Sequence, residues 1–386
     1  MTAYSETPPS AKPATNRETY PLPGVAAGTQ RSVTALRFGT PGARPKAYFQ
    51  AGLHADELPG MVVLRELAKQ LETEAKQGRI LGEIIVVPVA NPIGLAQRSF
   101  GYMQGRYDTG AASNFNRDYP DLAPGVADRI KGKIGDDADA NVATIRTAMA
   151  EELAAMTPVS EVDVLRHTLM QLAHDADIVL DLHADNEAQI HLYTGTALWP
   201  EAQDLAAEID ARAVLLADCS GGNPFDEACS APWWTLADRF PDASIPPACL
   251  AATVELRSNN SVSAADIRDD TAALMRFLIR RGLVEGQVGA VPRLLCDATP
   301  LTGMQQVIAP VAGIVVYNAE LGDTVRAGDV IATITDPLGD SVDVAAHTDG
   351  CLFARHDQPY AWPGKIIGKI AGTTALAERK GRLLTD

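Results

Sequence analysis

The order of apolar and polar positions divides the chain into two regions with different rhythms. From about residue 30 to about residue 290, short apolar runs alternate with longer amphipathic ones. RSVTALRF (31–38) and AYFQAGL (47–53) carry the β-branched and aromatic content of strands. Leu64, Leu67, Ala68 and Leu71 then fall on one face at helical spacing, with Pro59 suited to the first turn. IIVVPVANP (84–92) is a buried strand that stops at Pro92. Residues 100–125 are rich in Gly, Asn, Asp and Pro and predict a long loop. Helices follow near 138–156 and 161–175, the second with an apolar stripe of Val162, Leu165, Leu169 and Leu172. DIVLDLH (177–183), AQIHLYT (188–194) and LAATVELR (250–257) are strands. EAQDLAAEIDARAV (201–214) and Ala264 to Arg281 are helices. Alternation of this kind predicts an α/β sandwich around a largely parallel or mixed sheet.

Past residue 290 the strands shorten, and Gly, Val, Ile and Asp dominate. Residues 309–334 align with 346–370, pairing Gly313 with Gly350, Gly328 with Gly364 and Ile334 with Ile370. Two such halves predict a small all-β barrel or sandwich. The expected organisation is a flexible tail over 1–22, an α/β domain over 23–290 and a β-domain over 291–386.

Composition narrows the class of protein. Of 386 residues, 46% are hydrophobic and 21% charged, ample for a globular core. The net charge of −16 repels phosphate backbones and argues against a nucleic-acid partner. No apolar run approaches the roughly 18 residues of a membrane span. The first twenty residues lack the apolar centre of a secretory signal, and the five cysteines are scattered, so a reduced, cytoplasmic setting is expected. Homo-oligomerisation is left open.

Three strand ends carry candidate chemistry. In GLHADELPG, His54 follows a strand and Glu57 enters a helix three residues later. A turn there can aim an imidazole and a carboxylate at one point, although a His-x-x-Glu pair alone arises easily by chance. In DIVLDLHAD, His183 ends a buried strand, and Asp181 shares its face by period two. Asp181 either orients the His183 ring or caps a neighbouring helix. In ATVELRSNN, Glu255 interrupts an apolar strand; a carboxylate there needs a function or a partner such as Arg257. His54, Glu57 and His183 form a candidate His₂Glu zinc site with a fourth position for water. Glu255 beside it could move a proton. In the polar loop ASNFNRDYPD (112–121), the Arg117 guanidinium offers a fork suited to a carboxylate.

GLHADE, NPIG, NFNRD, LDLH and TVEL occur here in the order found in the zinc carboxypeptidase clan. In detail the set resembles the succinylglutamate desuccinylase/aspartoacylase family of N-acyl amino acid amidohydrolases, over roughly residues 30–370. The resemblance implies a zinc-carboxypeptidase-like mixed sheet flanked by helices. It implies one Zn²⁺ per chain on His54, Glu57 and His183, Glu255 as general base and acid, and Asn116 with Arg117 on the substrate's α-carboxylate. It assigns Arg98 to polarising the scissile carbonyl, with Arg106 as competitor, and a tyrosine that stays unassigned. Asn114 and Asp118 are candidate supports of the clamp. The terminal repeat resembles biotinyl/lipoyl-type domains, but its connecting turn, TDPLGDSVDVA, lacks their modifiable lysine. The expected activity is deacylation of a small N-acyl amino acid. The alternatives are a zinc carboxypeptidase acting on short peptides and a non-catalytic binding or carrier protein.

Overall fold

Apolar side chains in strands that must be covered on both sides force a layered arrangement, and the chain adopts one. The structure, a computed structural model, describes residues 16–384. The first region opens with β1 (Asn16–Pro21), β2 (Ser32–Gly39), β3 (Lys46–Ala51), α1 (Pro59–Lys76) and β4 (Glu83–Val87). A small insertion follows: α2 (Pro92–Leu95), β5 (Arg98–Ser99) and β6 (Tyr102–Met103). Next come α3 (Ala123–Ile130), α4 (Ala138–Ala155), α5 (Glu161–Ala173), β7 (Ile178–Asp185), β8 (Glu187–Ala188) and β9 (His191–Thr194). The region ends with α6 (Gln203–Glu208), β10 (Ala213–Leu216), α7 (Phe225–Arg239), β11 (Leu250–Ser258), α8 (Ala264–Arg280) and β12 (Ala298–Pro300).

Nine of these strands form one mixed sheet in the order β1-β2-β4-β3-β7-β11-β9-β10-β12. Its centre, β3-β7-β11, is parallel, so the carboxyl ends of these strands open on one edge. Alternate side chains of β3 feed two cores: Tyr48 packs with Phe115, Leu165, Leu169 and Trp233 on one face. Phe49 packs with Leu64, Leu67 and Phe277 on the other. Local chemistry sets where the helices start. Asp137, Ser160 and Ser263 accept hydrogen bonds from the N–H three residues on, capping α4, α5 and α8. The helix expected over 201–214 is shorter: Asp210 at φ +56 breaks it, and Ala213–Leu216 become strand β10.

The terminal region holds β13 (Met304–Ile308), β14 (Gly313–Tyr317), β15 (Thr324–Val325), β16 (Val330–Thr335), β17 (Ser341–Ala345), β18 (Gly350–Arg355), β19 (Tyr360–Ala361) and β20 (Ile366–Gly372). Gly313 and Gly350 each start the first strand of a half. The halves interlock: β15 of the first pairs with β18 of the second, and β19 of the second pairs with β14 of the first. Val315, Ile334, Leu352 and Ile370 fill the space between the two sheets.

Within the tail expected over 1–22, residues 1–15 lie outside the described residues, whereas Asn16–Pro21 form edge strand β1. Arg37 of β2 holds that strand through Glu18 at 2.8 Å. At the other expected boundary, β12 still pairs with β10 of the large sheet. The two parts share structure beyond this. β8 pairs with β18, and Tyr193, Leu215, Leu301, Met304 and Phe353 make a common apolar cluster. No helix among the described residues is long and apolar enough to cross a membrane.

Candidate active site

Three adjacent strand ends build the site. After β3, Gly52 turns the chain at φ +67, and a Cβ there would meet the Met61 sulfur at 2.9 Å. Asn91, in the NPIG motif, caps α2 and donates Nδ2–H to the Leu53 carbonyl at 2.8 Å. This holds the turn that carries His54. The Glu57 N–H bonds back to the His54 carbonyl at 3.1 Å, just before α1 begins. On the neighbouring strands, His183 of β7 and Glu255 of β11 are direct cross-strand partners. Irregular pairing follows at once in β11, with Arg257 at φ +59.

The ligand-type atoms of His54, Glu57 and His183 lie within 4.8 Å of one another, and all three residues are buried. Nδ1 of His54 is 3.0 Å from Glu57 Oε1, and Nδ1 of His183 is 2.8 Å from Glu57 Oε2. Each ring has an oxygen acceptor at its other nitrogen. Asn114 Oδ1 sits 2.9 Å from His54 Nε2, and Asp181 Oδ2 sits 2.9 Å from His183 Nε2. With those oxygens accepting the Nε2–H protons, both Nδ1 atoms are left as bases facing Glu57. Two imidazole nitrogens and a carboxylate converging in a buried space fit a divalent zinc-type ion. The electrostatics agree. Burial, reinforced by the Arg106 charge, lowers the His54 pKa to about 4, keeping that ring neutral. Burial opposes protonation of His183, but Asp181 and Glu57 outweigh it and raise its pKa well above normal. Two carboxylates around one imidazole therefore demand positive charge, which a bound cation would supply.

Glu255 is half-buried, and its Oε2 atom is fully buried with no hydrogen-bond partner among the described residues. Burial first, then the Glu57 charge, pushes its carboxyl up to about 8. The salt bridge to Arg257 left open by the sequence does not form, because Arg257 pairs with Asp270 at 2.7 Å. The polar loop folds against the same centre. Asn116 Nδ2 lies 3.4 Å from His183 Nε2, and its Oδ1 accepts the Phe225 N–H at 2.9 Å. Arg117 is buried, and its Nη1–H donates to the Asn116 carbonyl at 2.7 Å. Asn114 serves His54 more directly than the clamp, although Oδ1 also accepts the Asn116 N–H at 2.8 Å. Asp118 is exposed, and only its backbone N–H engages, on the Gly222 carbonyl at 2.8 Å.

Arg98 is not brought to this centre. It is exposed on the β5–β6 hairpin and does not line the cavity. Arg106 takes that place, with Nη2–H donating to Glu57 Oε1 at 3.0 Å. The reason is a close approach: Gly105 packs so tightly on the His54 turn that a Cβ would lie 2.1 Å from the Asp56 nitrogen. That contact delivers the next residue, Arg106, beside Glu57, while the hairpin carries Arg98 outward.

These groups border a cavity of about 470 Å³ closed on one side by the β-domain. Tyr193 lines it, whereas the Tyr317 hydroxyl is engaged with the His356 and Ile367 carbonyls. Three features escaped sequence reasoning. Asp185 is a buried ion-pair partner of Lys369 from β20. Arg166 of α5 reaches the Asn114 carbonyl at 3.0 Å and pins the loop. Asp226, Ser230 and Trp234 of α7 line the cavity together. Only the last had a local signal, the spacing of four along one helix face.

The family model of the succinylglutamate desuccinylase/aspartoacylase catalytic domain matches residues 43–280. An N-alpha-acetyl-L-2,4-diaminobutyric acid deacetylase from Halomonas elongata is 24% identical over 339 residues, covering 86% of this chain and 83% of its own. A protein from Shewanella amazonensis, described as of the same family, is 27% identical with a TM-score of 0.81 over 92% of this chain and 98% of its own. A second structure, from Shewanella frigidimarina, is 24% identical with a TM-score of 0.82 over 94% and 98%, and shares the fold.

Proposed function

The chain belongs to the succinylglutamate desuccinylase/aspartoacylase family, and from that premise we propose that it is a zinc-dependent amidohydrolase removing the acyl group from a small N-acyl amino acid. The observation that carries this reading is one convergence: the Nδ1 atoms of His54 and His183 around Glu57, with the half-buried Glu255 on the adjacent strand opposite His183. Deacylation of an acetylated amino acid by the Halomonas relative supports the reaction class. A zinc ion held by His54, Glu57 and His183 would supply a Lewis acid that polarises the amide carbonyl and acidifies water. Glu255, whose carboxyl sits near neutrality when no ion is present, takes the proton from the attacking water and returns it to the departing amine. Arg106 replaces Arg98 as the donor to the developing oxyanion, because its guanidinium lies inside the cavity. Asn116 and Arg117 grip the α-carboxylate and set the amide against the metal ligands. Asp181 and Asn114 hold the two ligand rings in their tautomers.

The β-domain wall on one side of the cavity favours acyl amino acids over long peptides, which a carboxypeptidase would take. A carrier role draws no support from the β-domain lysines: Lys369 is paired with Asp185, and Lys365 donates to the Tyr360 carbonyl at 2.7 Å. The test is zinc content and turnover of N-acetyl, N-succinyl and longer N-acyl amino acids after Glu255→Gln. Zinc should stay bound while turnover falls by about 10²–10⁴-fold. Undiminished turnover in the variant would remove Glu255 from the mechanism.

A further inference from the structure

Cations and carboxylates both face the cavity. Arg106 pairs with Glu57, Lys369 with Asp185 and Arg355 with Glu187, while Arg117 and Lys365 donate to the backbone carbonyls of Asn116 and Tyr360. Glu227 is likewise engaged, accepting from the Ser220 N–H at 2.9 Å and the Ser220 hydroxyl at 2.6 Å. Besides Glu255, which has a proton to move, and Glu227, one further carboxylate of the lining forms no ion pair among the described residues. Asp226 is only 8% exposed and lines the cavity, and the charge of the His183 ring acts on it without an ion pair being formed. Burial first, then the carboxylates of Glu227 and Asp181, pushes its pKa up to about 7. Such a group is costly to bury without a partner, and the cavity is where a partner can enter.

Its neighbours define what that partner is. Asp226 lies one residue past Phe225, whose N–H is held by the Asn116 side chain. The first turn of α7 is thereby tied to the loop that carries the carboxylate clamp. Along the same helix face come Ser230 and Trp234, each four residues further on and each lining the cavity. The row therefore offers a carboxylate, a hydroxyl and an indole. A carboxylate attracts an ammonium group, and an indole face attracts both a cation and the methylene groups that bear it.

We propose that Asp226, with Ser230 and Trp234, forms a subsite for a primary ammonium group on the side chain of the N-acyl amino acid. The proposal rests on the deacylase reading above and deepens it: the substrate class is Nα-acyl diamino acids. Asp226 sets specificity here. Binding of the ammonium gives the Asp226 carboxylate an ion-pair partner, and it couples side-chain recognition to the clamp through the Phe225–Asn116 bond.

The test compares isosteric pairs on the zinc-loaded protein: Nα-acetyl-2,4-diaminobutyrate against Nα-acetylnorvaline, and Nα-acetylornithine against Nα-acetylnorleucine. The ratio of kcat/KM, amine over methyl, should exceed tenfold in the wild-type protein. It should fall toward one in Asp226→Asn and recover in part in Asp226→Glu, with the change carried by KM. A wild-type ratio at or below one overturns the subsite, as does an unchanged ratio in Asp226→Asn. Calorimetry with free 2,4-diaminobutyrate and norvaline separates this from the deacylase reading. Binding of the diamine that is stronger than that of norvaline and depends on Asp226, without hydrolysis of any acyl compound, would keep the subsite and remove the deacylase. Hydrolysis without amine preference would do the reverse.

Discussion

At the residue scale, the two groups behind the ligand histidines matter as much as the ligands. Asp181 accepts from His183 and Asn114 from His54, and both are almost fully buried. Asp181→Asn offers a donor where an acceptor is needed and invites the wrong tautomer. It should weaken zinc binding by about 10–100-fold, measured by competition with a chelator. Wild-type affinity would mean that the ring is held by packing alone. Arg117→Ala probes the clamp and should leave zinc content intact. It should raise KM for carboxylate-bearing acyl amino acids by about 10–100-fold, the worth of a hydrogen bond to a charged group. An unchanged KM would return the loop to a purely structural role. The site was legible in part. His54, Glu57, His183 and Glu255 were readable because polar groups at strand ends stand out against apolar runs. Arg98 and Arg106 could not be ranked, because only the packing of Gly105 decides which of them faces inward.

At the element scale, the loop from α2 to α3 is the part whose form propensity did not predict. Its glycine at 105 has a backbone nitrogen where a side chain would go, and its carbonyl accepts the Ala55 N–H at 3.1 Å. Gly105→Ala should therefore push the loop off the His54 turn and carry Arg106 with it. A displacement of about 1 Å is enough to cost about 10²-fold in kcat/KM. Steady-state kinetics with parallel zinc analysis checks this, and near-normal kinetics would remove the close approach from the argument. Helices α4, α5 and α8, by contrast, were readable to within a few residues, because each begins at an Asp or Ser cap. Helices α3 and α7, which begin without a side-chain cap, were not expected. The segment after α6 was also misread. Its apolar periodicity continues through a turn at Asp210 that pattern alone does not mark.

At the scale of the whole molecule, the β-domain is a wall of the cavity. Lys369 reaches from β20 to Asp185 on β7, two residues beyond His183. Lys369→Met leaves a buried carboxylate without its partner. The expected loss is about 3 kcal/mol, the low end for a broken buried pair because the Lys369 side chain is 24% exposed. A lowered Tm and denaturant midpoint would report it, and Lys369→Arg should recover most of the loss. Equal stability of the Met variant would mean that Asp185 is solvated through the cavity.

The sequence by itself determined the two rhythms of the chain, the internal repeat, the capped starts of α4, α5 and α8, and the residue types that suit a metal and a proton carrier. These follow from local rules, namely side-chain period, capping and the cost of burying a carboxylate. Tertiary structure alone decided that Glu255 lies opposite His183, that Arg106 rather than Arg98 enters the cavity, and that Lys369 pairs with Asp185. It also left Asp226 without an ion-pair partner among the described residues. Those outcomes depend on strand register and on contacts between residues tens to hundreds of positions apart, and no local pattern encodes such distances.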